Sequence, residues 1–131
     1  MRLLIVDHMA VESSRRTVYR MLAHKDGWDV HLVVPPEWSG AGRIVRCEDE
    51  EDSTLHLHVL PVVFGHRAHR VIYRHLAQLL RQLQPDFLYV NAEPENYAAI
   101  GALALRAMIV PRAGLSLVSW RNIDHRKIGY P

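Results

Sequence analysis

Cysteine is nearly missing from this chain: Cys47 is the only one in 131 residues, so no intrachain disulfide can form and the natural setting is a reducing compartment. Cys47 also adjoins the acid run Glu48-Asp49-Glu50-Glu51-Asp52, which raises a thiol pKa and argues against a nucleophile. Long apolar runs are missing too. Leu3 to Val6 is followed at once by Asp7, too short a run for a signal peptide or a membrane span, so the chain reads as cytoplasmic. No GxGxxG follows that run and no GxxxxGKS/T occurs anywhere, which leaves neither a standard dinucleotide fingerprint nor a P-loop. The formal charge of +2 is too small to call for nucleic acid, and none is expected as a partner. Repeats and low-complexity segments are absent as well.

What is present is a globular composition, 49% hydrophobic and 23% charged, which excludes disorder. The length suits one domain spanning 1–131 with a single core. Charge is uneven along it. The acid run reads as a solvated loop tip within a loop covering residues 37–53, whereas Arg67, Arg70, Arg74 and Arg81 gather between His66 and Arg81.

Four short apolar runs have the continuous character of buried parallel strands: Leu3 to Val6, Val30 to Val34, Phe87 to Val90 and Leu115 to Trp120. Leu55, Leu57 and Val59 alternate with His56 and His58, giving a fifth strand with one face less buried. Between them the spacing predicts helices. One is capped by Ser13 or Ser14, with Val18, Met21 and Leu22 inward and Arg15, Arg16 and Arg20 outward. A second covers Ala68 to Leu83 on an apolar stripe of Ile72, Leu76, Leu79, Leu80 and Leu83. A third is capped by Asn91 or Glu93, takes Pro94 into its first turn and reaches Ala107. Strands alternating with helices predict an α/β fold, a Rossmann-like three-layer α/β/α sandwich around a mostly parallel sheet.

Ligands of such sheets bind at the carboxyl ends of the strands. Read there, the chain offers Asp7 and His8, then Pro35 to Trp38, then Asn91 to Glu95, then Arg121 to His125. Glu93 and Glu95 complement a helix dipole but repel a phosphate, so the rim favours hydroxyl donors, as on a sugar or polyol. His8 is placed to serve as a base. The other histidines show no recognisable ligand spacing, so no metal is expected.

Two stretches carry a resemblance. "PDFLYVNAEPENYAAIGALALRA", Pro85 to Ala107, followed by "LVSWRNID", Leu117 to Asp124, is similar to the N-terminal half of the family 4 glycosyltransferases with the GT-B architecture. The opening from Met1 to Pro36 is similar to that family's first strand, helix and second strand. The resemblance implies an acceptor-side domain, with transfer of sugar from a nucleotide-sugar donor in a cleft shared with a C-terminal domain, and no metal. It implies a sugar or glycoconjugate acceptor near Asp7, His8, Glu93, Trp120, Arg121, Asn122 and Asp124, with His8 the candidate catalytic group. Residues 121–131 are then the loop leading toward the donor-binding domain, and the chain by itself is expected to be inactive. The family's glycine pair after the first strand is missing, and Trp120-Arg121 stands where many members end the fifth strand in histidine.

Two other readings stay open. "LLIVDH", Leu3 to His8, resembles the first strand of a receiver module, although Asn91 and Lys127 are misplaced for its phosphoacceptor and lysine. A flavin- or nucleotide-binding domain is the other. Separately, Arg70, Arg74 and Arg81 on one helix face could bring the protein peripherally onto anionic lipid.

Overall fold

The computed structural model describes residues 1–40, 42–65 and 68–118. Its centre is β1 (Arg2–Val6), an apolar strand buried from Leu3 onward. β2 (Asp29–Val34) pairs with it in parallel, Leu3 opposite Val30 and Val6 opposite Val33. The hairpin of β3 (Glu37–Gly40) and β4 (Arg43–Arg46) follows, turning through Gly42 at φ 77°, a left-handed value that suits glycine. β5 (Leu55–Val59) joins the far side of β2, also in parallel. A small antiparallel pair, β6 (Val62–Val63) with β7 (Ile72–Tyr73), precedes β8 (Phe87–Val90) and β9 (Gly114–Leu117). β8 pairs in parallel with the free side of β1, and β9 with β8.

The five-stranded parallel sheet therefore has the order β5-β2-β1-β8-β9. In terms of its own strands this is third, second, first, fourth, fifth. That is the order of dinucleotide-type α/β sheets, whereas flavodoxins and receivers place the second strand at the edge and the third beside the first. The strand order thus differs from that of a receiver or a flavodoxin. Helices flank the sheet, making an α/β fold compatible with a Rossmann-like layer. α1 (Thr17–Ala23) packs on β2 and β5, α2 (Leu76–Leu83) packs on α3 (Tyr97–Ile109), and α3 packs on β8. Leu4, Ile5, Val30, Leu32, Leu80, Leu88 and Val90 form the innermost core, each at most 1% exposed.

Several expectations are corrected. The chain after β1 makes two 3-10 turns, His8–Val11 and Ser13–Arg16, before α1 begins. Val18 and Met21 point outward, 63% and 66% exposed, while Arg16 is fully buried. Burial is possible because the guanidinium is enclosed by acceptors. Its Nε donates to the Ala10 carbonyl at 2.7 Å, and Nη2 donates to those of Val11 and Glu48 at 3.0 and 2.8 Å. Nη1 reaches the Asp49 carbonyl and Glu50 Oε2, both at 3.2 Å. The acid run lies in the loop between β4 and β5 with Glu48, Asp49 and Glu51 exposed, as expected, but Glu50 turns inward and also takes Arg20 Nε at 2.9 Å. Residues 37–53 hold the β3–β4 hairpin rather than a plain loop.

The helix expected from Ala68 starts only at Leu76. A 3-10 turn covers Ala68–Arg70, and Val71 and Tyr73 are buried with Ile72 exposed, the two-residue alternation of a strand. His75 at φ 65° then breaks the chain direction before α2. Arg70 thus lies on a 3-10 turn, Arg74 in the turn after β7 and Arg81 on α2, so they do not form one helix face, and Arg67 lies outside the described residues. α3 begins after Asn96, beyond Pro94, and runs to Ile109. β9 ends at Leu117, and the segment from Ser119 onward, with Trp120, Arg121, Asn122 and Asp124, lies outside the described residues. No helix among the described residues is long and apolar enough to cross a membrane.

Candidate functional site

β1 is the strand at which the sheet reverses its winding, since β2 lies on one side of it and β8 on the other. Val6 is level with Val90, so the next residues of each strand, Asp7 and Asn91, come out side by side. Backbone bonds hold both in place: Asp7 N–H donates to the Val33 carbonyl at 3.0 Å and Asn91 N–H to that of Val6 at 2.9 Å. Between them opens a cleft of about 630 Å³, at the carboxyl ends of β1 and β8, to which Asp7, His8, Tyr19, Tyr89, Asn91 and Glu93 contribute. Such a switch point is where open α/β sheets bind their ligands.

Asp7 is only 4% exposed and is anchored at both oxygens. Oδ1 accepts from the Met9 N–H at 2.9 Å, capping the 3-10 turn, and Oδ2 accepts from the Tyr19 hydroxyl at 2.6 Å. Burial, with the charge of Asp7 and this hydrogen bond adding to it, pushes the Tyr19 phenol far above its ordinary range. Burial and then Asp7 do the same to Tyr73, and less strongly to Tyr89. Both effects keep these phenols neutral.

His8 stacks on Trp38, with ring centroids 4.0 Å apart and a 38° tilt. Trp38 belongs to the β3–β4 hairpin and is itself buried, so it fixes the imidazole from behind. Burial pushes the His8 pKa below its usual value, and the Asp7 charge opposing it does not fully compensate. At neutral pH His8 is therefore an uncharged imidazole with one nitrogen able to accept a proton or a hydrogen bond.

The buried Oδ1 of Asn91, in the cleft, has no hydrogen-bond partner among the described residues. The Tyr73 hydroxyl, on β7, is likewise buried without one. The cation lining the cleft, Arg15, is bound through Nε to Glu12 Oε2 at 3.2 Å. Cys47 takes no part, and burial, with Asp49 and Glu48 adding to it, raises its thiol pKa despite Arg16 nearby.

Asp7, His8 and Glu93, anticipated from the sequence, thus come together with Asn91 on one cleft. Tyr19 and Tyr89 were not anticipated, for a tyrosine on a helix and another inside a strand carry no signal of facing a cleft. A second cluster of titratable groups is built from Asp29, His31 and His56, toward the amino ends of β2 and β5, with His58 further along β5.

Comparison with known proteins gives no relative from which a role could be borrowed: no protein-family model, no curated protein and no solved structure matches this chain.

Proposed function

We propose that this domain binds the sugar or glycoconjugate acceptor of a glycosyl transfer, in a GT-B, three-layer arrangement where a second domain holds the nucleotide-sugar donor across the same cleft. The observation that carries the reading is the buried Asn91 Oδ1, an acceptor without a partner, placed beside the Asp7 carboxylate at the switch point. A buried acceptor is costly unless a donor meets it, and ligand hydroxyls are donors. A phosphate would offer only more acceptors. Among the described residues the cation lining the cleft, Arg15, is already paired with Glu12.

Roles follow from the chemistry of each group. Asn91 and Glu93 accept hydroxyl hydrogens. Asp7, held by Met9 and Tyr19, fixes the floor of the cleft. His8, neutral and braced on Trp38, accepts the hydrogen of the hydroxyl that is to be glycosylated. Trp120, Arg121, Asn122 and Asp124 belong to the same reading through the sequence resemblance.

Saturation-transfer NMR tests the reading on the purified chain with a panel of free sugars and polyols, with nucleotides and flavin as competitors. Sugar signals that vanish in Asn91→Ala, while the fold is retained by circular dichroism, are expected. Sugar signals unchanged by Asn91→Ala, or binding of nucleotide or flavin in place of any sugar, would overturn it.

A further inference from the structure

The alternation of two adjacent parallel strands brings a carboxylate and three imidazoles onto one face. β2 supplies Asp29 and His31, β5 supplies His56 and His58, and the register sets His31 opposite His56. The rings of His31 and His56 stack with centroids 4.7 Å apart. Asp29 Oδ1 lies 3.0 Å from His31 Nε2 and 3.4 Å from His56 Nε2. One ligand atom from each of the three residues lies within 4.8 Å of the other two. Zinc held tetrahedrally at about 2.1 Å keeps its ligand atoms about 3.4 Å apart, so a small inward turn of the half-exposed His56 ring completes the geometry.

The outer contacts are those a ligand set requires. Arg2 Nε donates to Asp29 Oδ2 at 2.7 Å, which leaves Oδ1 directed at the imidazoles. His31 Nδ1 meets His58 Nε2 at 2.8 Å. With the proton on Nδ1, that bond leaves a lone pair on His31 Nε2, the arrangement by which metal-binding histidines are oriented. His31 is 7% exposed, and its buried Nε2, 3.0 Å from Asp29 Oδ1, makes no hydrogen bond of good geometry. A cation shared by Nε2 and the carboxylate satisfies both groups.

We propose that Asp29, His31 and His56 bind a divalent transition metal of the zinc class, through three protein ligands with a fourth position open to solvent. His58 is a positioning residue. Entry is from the side of His56 and Asp29, whose side chains are 50% and 39% exposed. Asp29, His31 and His56 lie toward the amino ends of their strands, whereas the cleft opens at the carboxyl ends, and the proposal does not depend on the reading given to the cleft.

The test is a cobalt(II) titration of tag-free, chelator-treated protein, followed by the visible absorption of tetrahedral cobalt, with zinc(II) in competition and thermal melting in parallel. Saturable one-to-one binding is expected, with zinc displacing cobalt and raising the melting temperature. His56→Gln, at a half-exposed position, should keep the metal-free melting temperature and weaken binding by about tenfold or more. His24→Gln, a surface control, should bind as the parent does. Absence of saturable one-to-one binding, or equal affinity in His56→Gln, would leave these residues as a hydrogen-bonded histidine network and overturn the proposal.

Discussion

Arg16 Nη1 and Glu50 Oε2 meet at 3.2 Å with side chains 0% and 4% exposed, an ion pair closed off from water. It joins the 3-10 turn after β1 to the acid run ahead of β5, across 34 residues of chain. Removing one partner of such a pair strands the other and its carbonyl acceptors. Arg16→Met should therefore cost about 3 kcal/mol or more in urea unfolding. Arg15→Ala, at a side chain 52% exposed, should stay within about 0.5 kcal/mol of the parent. An Arg16→Met protein as stable as Arg15→Ala would refute the role given to the pair.

Acid should unfold the protein through the same region. Burial alone would raise the Glu50 pKa, but Arg20, the Asp52 N–H and Arg16 together outweigh it and hold the carboxyl below its ordinary 4.5. Asp52 is held at about 2 by the Thr54 hydroxyl, the Thr54 N–H and His24. Both groups bind a proton more weakly folded than unfolded. Their stabilisation is complete above the ordinary values of 4.5 and 3.8 and drains away as pH falls through the folded ones. Melting temperatures taken downward from pH 6 should fall more gently in Glu50→Gln than in the parent; parallel curves would contradict this account.

Alkali acts with the opposite sign. Tyr19, Tyr73 and Tyr89 have phenols raised above the ordinary 10.0, by burial first and by Asp7 second. The stability they lend is present below that value and lost as pH rises through the folded ones. Ultraviolet titration should show a fraction of tyrosine ionising only together with unfolding, and Tyr19→Phe should reduce that fraction. Tyr19→Phe should also cost about 1–3 kcal/mol, since Asp7 Oδ2 loses its donor. A single ionisation phase preceding any unfolding would exclude this.

Gly114 opens β9 where its strand passes the Phe87 ring on β8. A Cβ there would overlap ring atoms of Phe87, so Gly114→Ala must displace an aromatic at the β8–β9 pairing. A loss of about 1–3 kcal/mol is expected from this overpacking. The double variant with Phe87→Leu should recover part of it, and an additive double variant would show that the two positions do not touch.

The parallel strands were legible because strands buried on both faces are made almost wholly of apolar residues, as in Leu3 to Val6 and, with His31 as the one interruption, Val30 to Val34. Asp7, His8 and Asn91 were legible for a related reason: the residue after such a strand stands at the end where clefts form. Arg16 was not. A charge at a helical position reads as solvent-facing, and the carbonyls that enclose it come from Glu48 and Asp49, which nothing local connects to it. The stretch from Val71 to Leu76 misled because a helical stripe through Ile72 and Leu76 overlies the alternation that buries Val71 and Tyr73. The pairing of His31 with His56 is a matter of register between strands, which the order of residues along one chain does not state.

The place of β1 at the middle of the sheet also governs the order in which the protein can assemble. During synthesis β2 and β5 are made soon after β1 and can pair along one side of it. Its other side has to wait for β8, and the bond from the Arg2 N–H to Asp86 spans 84 residues. Closing so long a loop is slow relative to local pairing. Until Val90 has been made, Leu3 to Val6 offer an open, apolar row of peptide groups to any extended chain nearby, so the strand that organises the native sheet is also where a nascent chain is most exposed to mispairing.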